Sequence, residues 1–367
     1  MGVKLASELV VVTNSQQEFW AREFGAVIIE KDESFISVIK NLVGQQIRPV
    51  VQLDKNYAEL RALEALPENS IIGWCHSDET FDLAFNTALT NLNSLHTILR
   101  PYHLEKTTFT NSIKSLSYTF LNLRMSTSLK DVLRIIAWQF RGLGMQIRQH
   151  KILKKYAKAR RQFRNIPIGY TNVFALSLLA FIQRGIEPRE SILSLEPGLI
   201  NHIQSGVNFV GQSGQIVREL SIRSLEKSEL GQVIRRSGYG ASNVIDQSVA
   251  TLGKEYVELL HDSLFVLCPP GNISGQTFRY FEVITLGRIP LVMNHVTSDP
   301  NFKSGYWYGK FLSSAGSWRK MLHDSQGLSH KEISIVIEKN AEFMKKEMRS
   351  LKEFLLNVVS VFPQEHK

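Results

Sequence analysis

Residues Tyr256–Asn294 read YVELLHDSLFVLCPPGNISGQTFRYFEVITLGRIPLVMN, and their order of patterns decides the fold. Ser263 to Cys268 is a short, almost wholly apolar run, as expected of a strand covered on both faces. Pro269, Pro270 and Gly271 stop it, since a proline donates nothing to a ladder and glycine permits a sharp turn. Ser274 or Thr277 then offers an N-cap for a helix running to about Leu286. Gly287 is placed as its C-terminal cap, and Ile289 to Met293 forms the next buried strand. Strand, helix and strand in this order make a βαβ unit, the building block of parallel sheets.

The helix is apolar nearly all round, through Phe278, Tyr280, Phe281, Val283, Ile284 and Leu286, so it is expected to pack on more than one side. Its polar exceptions, Arg279, Glu282 and Thr285, recur every three residues and share a stripe. Arg279 falls in the first turn, where unpaired N–H groups and the helix dipole already favour an anion. A carboxylate three residues on suits sugar hydroxyls, and the rim beyond a parallel strand is where open α/β sheets take ligands. An Arg and a Glu three apart are ordinarily a solvated pair worth a few tenths of a kcal/mol. On a mostly buried helix, however, two charges need partners. The stripe therefore reads as a pocket for a nucleoside diphosphate carrying a sugar.

At these residues the chain resembles a known family. FRYFEVITLGRIPLV is similar to the donor-binding segment of exostosin-like glycosyltransferases, with an Arg, a Glu three later and a G-x-I-P strand entry. The S-x-F-x-L-x-P-x-G run at Ser263–Gly271 is similar too, and the likeness spans residues 205–295. The resemblance implies a GT-B fold: two Rossmann-like domains facing across a cleft, the second holding the donor. It also implies inverting, metal-independent transfer from a nucleotide-sugar, a UDP-sugar by family likeness. The implied class is a hexosyl- or glycuronosyltransferase of polysaccharide biosynthesis.

Length and composition agree with that frame. A chain of 367 residues exceeds one ordinary core and suits two domains. The expected division is an acceptor-side Rossmann-like domain at 1–172, a helical linker at 173–204, a donor domain at 205–328, and helices at 329–367 returning to the first domain. Hydrophobic content of 43% and charged content of 21% are those of a globular protein. Lys4 and Glu8 interrupt the first apolar residues, which argues against a signal peptide. The apolar stretch near Val173–Ile182 is too short for a membrane span, unlike the anchor of animal exostosins. Cys75 and Cys268, the only cysteines, both fall in expected buried strands. A cytoplasmic, reducing compartment follows as the expectation.

The net charge of +9 attracts nucleic acid, anionic membranes and phosphorylated small molecules alike. Much of it lies in 150–164, HKILKKYAKARRQFR, which holds no acidic residue. This is either a solvated helix or a patch for anionic lipid headgroups, bringing the enzyme to a glycan or lipid-linked acceptor at the inner membrane face. Nucleic acid ranks third, because no recognised nucleic-acid module is present.

The amino-terminal half alternates strictly. Leu9–Thr13, Ala26–Glu30, Pro49–Leu53 and Ser70–Cys75 read as strands; Ser15–Phe24, Phe35–Val43 and Tyr57–Leu66 read as helices. A doubly wound parallel sheet is predicted. No G-x-G-x-x-G follows the first strand, which weighs against a dinucleotide oxidoreductase. After the fourth strand, His76, Asp78 and Glu79 occupy the ligand-facing rim and are candidate bases for the acceptor hydroxyl, with Asp54 after the third strand as another. Ser77 or Asp78 equally suits a plain helix cap. Helical patterns are expected from Phe81 to Phe163, and a short strand at Ile166–Tyr170.

The second domain is expected to open at Gly206 with GVNFVGQSGQIVREL, a short strand meeting Gly211 and then a helix carrying Arg218. Glycine admits a ligand close to the backbone, and the helix start supplies N–H donors. Arg235–Gly240 reads as a basic loop, and Tyr306, Trp307 and Tyr308 suit either sugar stacking or core packing. The donor site therefore draws on Arg279, Glu282, Arg218, Gly211, Ser274, Gly275 and Thr277. No D-x-D triplet occurs, so no metal site and no cofactor are expected. The rival reading from another class is a non-catalytic protein of GT-B type that binds polysaccharide or nucleic acid.

Overall fold

Val, Ile and Leu runs bounded by turn residues become parallel strands here because helices can cover both faces of the sheet. The computed structural model describes residues 9–14, 19–75, 81–101, 128–167, 169–170, 172–183, 200–205, 215–229, 231–236, 256–268, 278–291 and 318–360. The chain divides into two compact units. One comprises Met1–Lys106, Ile147–Ile168 and Lys345–Lys367; the other comprises Thr107–Gln146 and Gly169–Met344.

In the first unit the order is β1 (Val10–Thr13), α1 (Phe19–Glu23), β2 (Val27–Glu30), α2 (Phe35–Gly44), β3 (Val50–Gln52), α3 (Tyr57–Glu64), β4 (Ile71–Trp74), α4 (Leu83–Asn91) and β5 (Leu95–Arg100). The carboxyl-terminal part of α5 (Leu129–Lys158) and β6 (Gln162–Asn165) complete it, with the later part of a helix described below. All six strands are parallel, in the order β2-β1-β3-β4-β5-β6. The winding reverses between β1 and β3, so the crevice beyond their carboxyl ends is a topological switch point.

Helices close on this sheet through one face each. Phe35, Ile39 and Val43 are the buried residues of α2, spaced at four. Asn56 caps α3 by accepting from the Ala58 and Glu59 amides, and Asp82 caps α4 by accepting from Phe85. Trp20 meets Trp74 edge-on at 5.4 Å between ring centroids. Gly73 in β4 has no room for more: a Cβ there would lie 2.5 Å from Leu53 and 2.7 Å from Leu95.

The second unit holds α6 (Asn172–Ile182), β7 (Ile200–Ser205), α7 (Gln215–Ser228), β8 (Gly231–Arg236), a helical turn at 256–261, β9 (Phe265–Leu267), α8 (Phe278–Thr285), β10 (Ile289–Leu291) and α9 (Trp318–Gln326). Its four strands are parallel in the order β10-β9-β7-β8. The chain steps from β7 to β8 on one side and returns to β9 on the other, placing this switch point between β7 and β9. The last helix, α10 (His330–Ser360), gives its residues from Lys345 onward to the first unit. There Arg164 donates to the Ser350 hydroxyl at 2.7 Å and stacks over Phe354 at 4.5 Å.

Four elements differ from the sequence reading. Strand β5 interrupts the helical stretch expected over Phe81–Phe163, because half-buried His96 and buried Thr97 and Arg100 break the apolar run that would have announced it. His96 Nδ1 meets Thr97 Oγ1 at 2.8 Å and Arg100 Nη1 reaches Asn86 Oδ1 at 2.8 Å, and partners of this kind let such a strand survive burial. The strand expected at Ile166–Tyr170 is β6, four residues earlier. Strand β7 straddles the end of the expected linker, 173–204, disguised by Asn201, His202 and Gln204. Arg235 and Arg236 end β8 rather than starting a loop.

Candidate functional site

The second unit's switch point is flanked by β7 and β9, and the helices after those two strands are α7 and α8. Each carries an arginine near its start: Arg218 is the fourth residue of α7, and Arg279 the second of α8. Local sequence explains α8. Phe278–Thr285 is apolar on most sides and buries Tyr280, Phe281, Val283 and Ile284, with Tyr280 and Phe281 edge-on at 5.1 Å. Gly287 ends it with a φ of 69°, a left-handed conformation in which a Cβ is unfavourable. Its amide reaches Ile284 O at 2.9 Å, and the Arg288 amide reaches Val283 O at 3.0 Å. The chain is thereby turned directly into β10.

Arg279 and Glu282 are brought together by a residue the sequence reading had not placed in the site. Tyr256 Oη donates to Glu282 Oε2 at 2.6 Å and accepts from Arg279 Nε at 3.4 Å. Tyr256 is itself buried, on the helical turn before β9. Glu282 is 2% exposed and Arg279 half-buried. Burial raises the Glu282 carboxyl to about 7, against the opposing pull of the Tyr256 hydrogen bond and the Arg279 charge. Near neutral pH it is shared between acid and carboxylate forms, so a small change in its surroundings changes its charge. The Glu282 carboxyl is therefore held inside the fold, next to an arginine that shares its tyrosine partner.

Cys268, at the end of β9, is fully buried, and burial raises its thiol well above the ordinary range. A neutral thiol is no nucleophile. Arg288, the residue after the cap, is wholly buried, with its Nε donating to His261 O at 2.6 Å. Burial lowers its guanidinium to about 10, partly offset by Asp262. It acts as a strut behind the site, tying the turn after α8 to the helical turn before β9.

Gly211, Ser274, Gly275 and Thr277 lie outside the described residues, as do His76, Asp78 and Glu79 of the candidate base cluster. The Tyr306–Tyr308 aromatics lie outside them too. At the first unit's own switch point, Asp54 is described. Its Oδ2 accepts from Lys31 Nζ at 2.8 Å, and both carboxylate oxygens accept from Gln52 Nε2, at 3.0 and 3.1 Å. Lys31, buried, also reaches Glu59 at 2.5 Å, while Gln52 Oε1 accepts from Thr13 Oγ1 at 2.6 Å and the Asn14 amide at 3.0 Å. The ends of β1, β2 and β3 are thus joined by one polar network on the rim where such sheets receive ligands. Nothing local in the sequence marks it, since its hydrogen-bonded partners lie up to 39 residues apart.

Among the described residues, no three His, Cys, Asp or Glu side chains are grouped to hold a metal ion. Among them too, no helix is long and apolar enough to cross a membrane. Compared with known proteins, the chain matches no family model and no curated protein.

Proposed function

We propose that the protein is an inverting, metal-independent glycosyltransferase of GT-B type, moving a sugar from a nucleoside-diphosphate donor, a UDP-sugar, to a glycan or lipid-linked glycan. The observation that carries this reading is the placement of Arg218 and Arg279 early on the two helices that follow the switch-point strands β7 and β9. Open parallel sheets take ligands at that point, and helix starts favour phosphate.

In the reaction, the acceptor hydroxyl attacks the anomeric carbon as the bond to the diphosphate breaks. The proton passes to a base, for which His76, Asp78, Glu79 and Asp54 are the candidates. Negative charge grows on the departing diphosphate, and Arg279, with Arg218 and helix amides, neutralises it there. Preorganised charge of this kind lowers the barrier because it is already in place when the transition state forms. Tyr256 and Glu282 fix the guanidinium of Arg279. For Glu282 also to hold the nucleotide ribose, its oxygen must exchange Tyr256 for a sugar hydroxyl.

A thermal-shift panel of nucleoside diphosphates and nucleotide-sugars tests the proposal, with wild type and Arg279→Ala side by side. Bound product at about 100 times its Kd should stabilise the wild type by about 2.7 kcal/mol, and the variant by much less. If no diphosphate nucleotide shifts either protein, the donor reading is wrong. If one binds wild type tightly and sugar transfer is never seen, the protein is a binding module instead.

A further inference from the structure

Helix α5 carries its apolar row on the wrong side for a core. Among its described side chains the buried ones are Asp131, Ile135, Met145, Gln146, Gln149, Ile152 and Tyr156. Leu129, Leu133, Ile136, Phe140 and Ile147 lie on the opposite face and are between 38% and 75% exposed. At the ideal turn of about 100° per residue, these five fall within roughly 60° of one another, a row about 27 Å long. Single exposed apolar residues are ordinary; a contiguous row of large ones marks an interaction surface. Lys151, Lys154 and Lys158, all exposed, continue the row on the same line of the helix. Lys130, Arg141 and Arg148 flank it on one side, also exposed. The helix has a single acidic residue, Asp131, which is buried and paired with Arg223 at 2.7 Å.

We infer that α5 is a membrane-surface helix, seating Leu129–Ile147 among acyl chains and Lys151–Lys158 on anionic lipid headgroups. The charges decide between occupants. A second copy paired in parallel would set lysines against lysines, and one paired antiparallel over the apolar half alone would leave Lys151, Lys154 and Lys158 without a complement. An anionic bilayer surface complements both halves of the row at once, and an in-plane helix with an apolar face and basic neighbours is the geometry it binds. This extends the lipid-headgroup expectation for 150–164 by supplying the apolar part that basic residues alone lack. It does not rest on the donor-site proposal, because its readout involves no nucleotide.

The test is flotation of the full chain with vesicles of phosphatidylcholine alone and of phosphatidylcholine mixed with phosphatidylglycerol. Wild type should float with the anionic vesicles and not with the neutral ones. Leu133→Glu/Phe140→Glu and Lys151→Glu/Lys154→Glu/Lys158→Glu should each lower partitioning by about tenfold or more, since each removes one of two required terms. Melting temperatures should match wild type, because all five side chains are exposed. Equal flotation with neutral vesicles, wild-type partitioning by either variant, or a wild-type dimer that the apolar variant turns into monomer would overturn the inference.

Discussion

Each unit sets an arginine against a tyrosine hydroxyl, and the third partner separates the two sites. In the first unit Arg100 Nη1 reaches Tyr156 Oη at 3.3 Å, and both donate to Asn86 Oδ1, at 2.8 and 2.6 Å. In the second, Arg279 Nε reaches Tyr256 Oη at 3.4 Å, and the tyrosine donates to Glu282. The amide cannot change its charge and all three groups of the first cluster are wholly buried, so that cluster is a strut between β5, α4 and α5. The carboxyl can change its charge near neutral pH, and its arginine is only half-buried. The lesson is that buried arginine alone does not signal function. A titratable carboxyl beside the second arginine is what sets the Tyr256 cluster apart.

The sharpest way to break this contrast is Arg279→Ala. Turnover should fall by about two orders of magnitude or more, comparable to losing about 3 kcal/mol of charge stabilisation, with little change in urea midpoint. Sugar-transfer assays that found wild-type turnover would remove Arg279 from the site. The first unit should behave oppositely. Asn86→Ala takes the shared acceptor from two buried donors and should cost about 2–3 kcal/mol of stability by urea denaturation. In correctly folded protein it should leave transfer chemistry unchanged.

Glu282 gives a comparison across pH. Its folded pKa, about 7, lies above the ordinary 4.5, so its protonated form is the one that folding favours. Its contribution to stability is complete below about pH 4.5 and is lost as pH rises through 7. Between pH 5 and pH 7 wild type should lose about 2 kcal/mol relative to Glu282→Gln, whose side chain does not titrate. Parallel stability–pH curves for the two proteins would mean that Glu282 has an ordinary pKa. The smallest expected effect is at the cap: Gly287→Ala forces a Cβ into a left-handed backbone and should cost about 1 kcal/mol. A melting temperature equal to wild type would show that the turn after α8 adapts.

How much could be read in advance also divides along chemical lines. Strands β1 to β4 and β9 to β10 were legible to within about two residues, because their apolar runs end abruptly at charged, polar or turn residues. Strands β5 to β8 were not. LHTILR, QFRN, INHIQS and GQVIRR contain the polar residues that ordinarily mark loops. For β5 the compensating partners lie elsewhere: Arg100 Nη1 bonds residues 14 and 56 positions away, which no local window contains. The site followed the same rule. Arg279 and Glu282 share a helical stripe and could be paired by spacing, whereas Tyr256, 26 residues before Glu282, could be joined to it only by the fold.

Arg48 carries a consequence for how the protein is made. It is wholly buried, with Nε on Asn69 O at 3.0 Å and Nη1 on the carbonyl of Val358, 310 residues further on. At about 5–20 residues per second, a ribosome needs roughly 15–60 s to deliver that acceptor after Arg48 has been synthesised. Through that interval the nascent first unit holds a guanidinium whose final partner does not yet exist, so its closure is a late event that waits for the last helix.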